Sequence, residues 1–139
     1  MKELADSIRN NDLPRYQRSR YTSIQDGEPV VFESENFTDT NFGEFSAGFF
    51  EFIDCTLDGA SELYGQPITI RGGTARNIDL RAVRAIIKAS SCDFTGMRYD
   101  EATELAYGEN PTDAKSVFIN CTVDPAAREH FQKQGVVFR

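Results

Sequence analysis

A run of large apolar residues spaced five apart constrains this chain more than any other feature. From residue 35 the sequence divides into ENFTD, TNFGE, FSAGF, FEFID and CTLDG, with Phe37, Phe42, Ala47, Phe52 and Leu57 at the centres. An α-helix repeats every 3.6 residues and a strand every two, so neither gives an apolar period of five. An internal repeat does, and repeats decide the fold before any local propensity.

The spacing returns further on as RNIDL and RAVRA around Ile78 and Val83. CDFTG and MRYDE follow around Phe94 and Tyr99, then SVFIN and CTVDP around Phe118 and Val123. A longer period lies over it: Phe37, Leu57, Ile78, Tyr99 and Phe118 follow one another at intervals of 20, 21, 21 and 19, and Phe52, Gly73 and Phe94 at intervals of 21 and 21. Residues one coil apart stack at the ~4.8 Å strand spacing and bury a continuous apolar ladder. The expected architecture is all-β, a short parallel β-helix of about four coils.

Over about residues 35–125 the pattern resembles the pentapeptide-repeat family, whose units carry a small residue two places before a central Leu or Phe. The resemblance implies a right-handed parallel β-helix in which four pentapeptides make one square coil. Central and small residues point inward, and the other positions face water. DCTLDG, SCDFTG and NCTVDP place Cys55, Cys92 and Cys121 in the small inward slot. Free cysteine packs there as a small hydrophobe. The wide intervals from Cys55 to Cys92 and from Cys92 to Cys121 do not match the close cysteine pairs of zinc sites, so neither a metal nor a disulfide is expected.

The repeat is interrupted. Residues 60–75 break phase, and Gly65, Pro67, Gly72 and Gly73 suggest a bulged corner or protruding loop. Residues 104–115 form a second insertion. Phe45, Phe50 and Arg76 occupy small-residue slots, and Lys88 falls at a centre if the phase of Val83 continues, so the register shifts there or those coils are irregular. The chain divides into an N-terminal cap segment with a lead-in strand (1–34), the β-helix (35–124), and a capping helix and tail (125–139). In DPAAREHFQKQG, Asp124 is the expected cap, Pro125 the first helical residue and Gly135 the stop. Caps matter because an uncovered β-helix end is an exposed sheet edge.

At 139 residues the length suits one domain. No apolar run approaches a membrane span, the charged amino terminus has no signal-peptide pattern, and three cysteines make no disulfide framework. These features predict a soluble protein of the cytoplasm of a bacterial or phage-infected cell, with no membrane partner.

The net charge is −7, unevenly spread. Residues 1–20 carry net +2, whereas Glu33 to Glu62 holds eight acidic residues and no Lys or Arg. Such a face repels phosphate backbones and favours a basic partner over nucleic acid itself. The candidate partner-binding residues are Glu35, Asp39, Glu44, Glu51, Asp54, Asp58, Asp79 and Asp100. Asp58, Asp79 and Asp100 are 21 apart, and a regular coil would set them in one outward column. Arg71, Arg76 and Arg81, five apart, fall on successive faces and suit salt bridges to neighbouring acids better than one phosphate site. The segment LPRYQRSRY presents Arg15, Arg18 and Arg20 as a basic arm for a partner or for the chain's own acidic coils. No catalytic set surrounds His130, the single histidine, and no cofactor motif appears.

The best understood pentapeptide-repeat proteins inhibit or protect DNA gyrase by resembling B-form DNA. The resemblance therefore implies a non-enzymatic, DNA-mimicking inhibitor of a basic nucleic-acid-binding protein, such as a topoisomerase or a phage-defence complex of the CRISPR type. Those mimics are longer and dimeric, which makes a homodimer one expectation. A generic β-helix scaffold or adaptor is the alternative, and a small carbohydrate-active β-helix enzyme the third reading.

Overall fold

The computed structural model describes residues 2–10, 30–43, 50–63, 65–106 and 115–139. Six parallel strands form one sheet in chain order: β1 (Val30–Glu33), β2 (Phe50–Ile53), β3 (Gly65–Arg71), β4 (Ala85–Ser90), β5 (Val117–Ile119) and β6 (Val137–Phe138). Parallel neighbours in sequence order require the chain to come back to the same side after each strand, so the sheet is one face of a winding coil. Bridges mark further faces. Asn36, Thr56, Thr74, Asp93 and Thr122 stack in one column, and Asn41, Ser61, Asp79 and Arg98 in another. The fold is a short right-handed parallel β-helix of about five turns.

The five-residue centres point inward. Phe37, Phe42, Phe52, Leu57, Ile78, Val83, Phe94 and Phe118 are buried, as are Cys55 and Cys92 in the small slots, while Cys121 is half-buried. The upper coils are filled with aromatic rings: Phe32, Phe37, Phe42, Phe50 and Phe52 lie with centroids 5.1–6.5 Å apart. Below them the core is aliphatic, with Ile68, Ile70, Leu80 and Ile87, and then aromatic again at Phe94, Phe118 and Phe138.

Corners need left-handed backbone. At the corner after the main strands Ser34, Asp54, Gly72, Ser91 and Asn120 all have positive φ. At the next corner Asp39, Gly59, Asn77 and Gly96 do the same, an alternation of Asx with glycine. Asn and Asp tolerate this region best after glycine. The alternation has a second cause: a Cβ on Gly59 would collide with Asp39 Oδ1, and one on Gly96 with Asn77 Oδ1. The Asx side chain of one rung thus fills the Cβ space of the next.

Both ends are covered by helices. α1 (Lys2–Arg9) buries Ala5 and Ile8 and sets the Arg9 guanidinium 5.4 Å from the Phe37 ring centroid. α2 (Pro125–Gln132) buries Ala127 and Phe131 beneath Tyr99. Asp124 precedes α2 but makes no side-chain cap; its Oδ2 instead accepts the Gly96 N–H at 2.8 Å.

Several expectations need correction. Of the two expectations for residues 60–75, the protruding loop does not form, because Gly65–Arg71 is a central strand paired with both neighbours, whereas a bulge is present as a register shift between Gly65 and Ile68. Coil length also changes here. Phe50 pairs with Ile68 and Ile68 with Ile87, so both of these coils are shorter than the one from Val30 to Phe50. The stacking partners therefore slip: Leu57 stands over Ala75 and Phe94 rather than over Ile78 and Tyr99, and Phe52 over Ile70 rather than Gly73. The same slip turns Arg76 outward, and buries Ile87 and Ala89 either side of a half-exposed Lys88. The lead-in strand is itself the first rung, which with β6 brings the turns to about five. At the second interruption Lys88 pairs with Val117, a far longer coil than the others, and Ala106 forms a bridge with Lys115; residues 107–114 lie outside the described ones.

Phe52 stacks on Phe32 and meets Phe37, Phe42 and Phe50. Phe52→Ala is expected to lower the unfolding free energy by about 3–5 kcal/mol in urea titration.

Candidate interaction surface

Charge is segregated along the rod. Residues 30–63 carry eight acidic and no basic side chains, residues 65–106 five acidic against six basic, and residues 115–139 two against four. The first two rungs are thus strongly negative and the rest close to neutral or weakly positive.

Many of the acidic residues already have a structural task. Glu35 receives the Arg9 guanidinium at 2.9 Å, and Asp6 receives the same group. Glu51 lies 3.6 Å from Arg71 one rung below. The carboxylates of Asp39 and Asp54 sit over Gly59 and Gly72 at the corners. Asp58 Oδ1 accepts the Arg76 main-chain N–H at 2.8 Å, and Asp100 Oδ1 accepts those of Ala82 and Ala102, each at 3.0 Å. Asp79 takes both Nε and Nη2 of Arg81, at 2.9 and 2.8 Å, and is held below the usual carboxylate range mainly by that contact.

The expected Asp58–Asp79–Asp100 column does not form. Asp58 is followed by Arg76 on the next rung, and Asp79 lies between Ser61 and Arg98 on another face. A coil that runs from Asp58 to Arg76, where the regular period would have reached Asp79, moves each partner along the chain. What remains together is the upper group, Glu33, Glu35, Asp39, Glu51, Asp54, Asp58 and Glu62, spread around the first two rungs. Glu44, Arg15, Arg18 and Arg20 lie outside the described residues.

Four arginines of the middle rungs are paired with acidic neighbours. Arg71 meets Glu51, Arg76 meets Asp93 at 2.9 Å, Arg81 meets Asp79, and Arg84 meets Glu104 at 3.0 Å. These pairs are solvent-exposed and contribute little stability each. Asp93 does not stand out in the repeat pattern, yet it is the most perturbed carboxyl among the described residues. Hydrogen bonds from the Thr95 hydroxyl and main chain, then from Arg76, lower it to about 2. The D-x-T spacing of an Asx turn is the signal that could have found it.

The cysteines stack one residue before the Thr56, Thr74, Asp93 and Thr122 column, with Gly73 between Cys55 and Cys92. All three thiols are free, and desolvation raises their pKa values, that of Cys92 to about 12. No group of three His, Cys, Asp or Glu among the described residues could hold a metal ion. His130 packs its ring 4.8 Å from Tyr99 and 4.9 Å from Phe131. Its Nε2 is buried without a hydrogen-bond partner, which marks it as part of the cap packing. No helix among the described residues is long and apolar enough to cross a membrane.

Two measurements check this electrostatic picture. A carboxyl lowered from 3.8 to about 2 stabilises the fold fully above about pH 4, and that contribution is lost as pH falls towards 2. Asp93→Asn should therefore lose less stability than the wild type between about pH 4 and pH 2 in acid titrations followed by circular dichroism. In the native protein at pH 8, Cys92 should resist iodoacetamide while half-buried Cys121 labels first, with all three labelling together in urea. No protein-family model matches the chain, and no curated protein or solved structure matches it.

Proposed function

We propose that this chain is a non-enzymatic acidic binding protein whose first two rungs dock on a basic, nucleic-acid-binding protein and occupy its nucleic-acid surface. The charge density of those rungs supports the reading. Seven described carboxylates lie on them, two offset by Arg9 and Arg71, which leaves five. Two rungs span ~10 Å, and duplex DNA carries about six phosphate charges over that length. A surface made for phosphates therefore meets a similar field on a rigid frame whose rung spacing is fixed by main-chain hydrogen bonds. The mimicry is short, under a third of a ~34 Å duplex turn. It suits a partner that grips DNA locally better than one that follows it over a full turn.

A scaffold or adaptor role has its own support in the middle rungs, where Arg71, Arg76, Arg81 and Arg84 are paired within the chain and the surface is close to neutral. The two readings part on salt and on competition. Pull-down from a bacterial lysate at low and raised salt, with and without duplex DNA, should recover a basic DNA-binding protein that is released by either treatment. The double variant Glu51→Lys, Glu62→Lys should weaken capture about tenfold or more. Capture that ignores salt, duplex DNA and these reversals would leave the adaptor as the better account.

A further inference from the structure

The two edges of the sheet carry nearly the same sequence. β1 reads VVFE (30–33), and residues 136–139 read VVFR. Among the described residues β1 and β6 are the outermost strands, each bonded on one side only.

Their free sides match in hydrogen-bond parity. Ser34 N–H donates to the Ile53 carbonyl at 2.9 Å, so the main-chain groups of Val30, Phe32 and Ser34 face β2. By alternation along a strand, those of Val31 and Glu33 face outward. At the opposite edge Val137 N–H donates to Ser116, and Arg139 both donates to Phe118 and accepts from Asn120. Phe138 therefore turns its N–H and carbonyl outward. With Phe138 opposite Phe32 of another copy, the Phe138 N–H can donate to the Val31 carbonyl and its carbonyl can accept the Glu33 N–H. The parallel ladder continues without a break.

The same register matches every side chain. Val136 meets Val30, Val137 meets Val31, Phe138 meets Phe32, and Arg139 comes beside Glu33. The inward Phe column also continues: Phe118 stacks on Phe138 at 5.1 Å within one copy, and Phe32 on Phe52 at 5.5 Å. Joining two like N-terminal ends would instead oppose two segments that each carry eight acidic residues and no basic one.

We propose that the β6 edge of one copy adds to the β1 edge of a second copy, head to tail, in the register Phe138 to Phe32. Such a contact is heterologous and extends rather than closes. α1 controls it. A packed helix needs about 8–10 Å, or two rungs, so α1 cannot stay over the first coil while a strand of another copy joins β1 and brings α2 with it. Association therefore competes with the burial of Ala5 and Ile8 and with the contacts of Arg9 to Glu35, the Asn36 carbonyl and Phe37. The proposal does not depend on the basic partner.

Sedimentation velocity of the full chain over a wide concentration range tests it. The wild type should gain mass with concentration, and Arg9→Ala should lower the onset. Arg139→Glu and Glu33→Arg should each raise the onset about tenfold or more, and the double variant should restore it. A mass independent of concentration in both the wild type and Arg9→Ala overturns the proposal, as does a double variant that folds but stays with the singles. Hydrogen exchange on the unaltered protein gives a second readout. The Phe138 and Glu33 amides should gain protection as concentration rises, and no gain while mass increases would also overturn the register.

Discussion

Each rung of this protein makes its strand hydrogen bonds to the rungs above and below, not within itself. The N–H of Phe37 goes to Thr56, that of Leu57 to Thr74, that of Ala75 to Asp93, and that of Phe94 to Thr122. A single coil therefore cannot stand alone, and the fold is a chain of nearest-neighbour contacts rather than a core surrounded by layers. Everything else follows from that dependence: inward residues must stack, corners must repeat, and the first and last rungs must be covered. The large buried phenylalanines of the upper coils and the two terminal helices answer different parts of the same requirement.

The inward residues were legible because the five-residue period is set locally. Phe37, Phe52, Leu57 and Phe94 needed only their own pentapeptides to be placed. Their partners on the next rung were not legible in the same way, since a partner depends on the length of the whole coil. That length shrank because the path from Ser61 into β3 at Ile68 is shorter than the one from Asn41 into β2 at Phe50. Lys88 shows the cost of carrying a phase across such a change: counted from Val83 it is central, yet Ile87 and Ala89 are the buried pair. The carboxylate column failed for the same reason, while the acidic run before residue 63 survived because it lies ahead of the shortened path.

The carboxylates of the first two rungs serve two roles at once. Asp39, Asp54 and Asp58 cover glycines or accept main-chain N–H groups of the rung below, and this fixes their positions. A carboxylate already held in place loses little side-chain freedom when a cation approaches, which favours recognition by position over recognition by flexible reach. Asp93, by contrast, is satisfied by Thr95 and Arg76, and adds order to the middle of the rod rather than charge to its surface.

The corner at Asp39, Gly59, Asn77 and Gly96 makes the true repeating unit of that column two rungs long. A duplicated single coil would set Asx over Asx, with a Cβ where the upper side-chain oxygen already lies, or glycine over glycine, with that space left empty. Along this edge the rod has a parity, and a lengthened or shortened descendant would keep its corner intact most readily by gaining or losing coils in pairs.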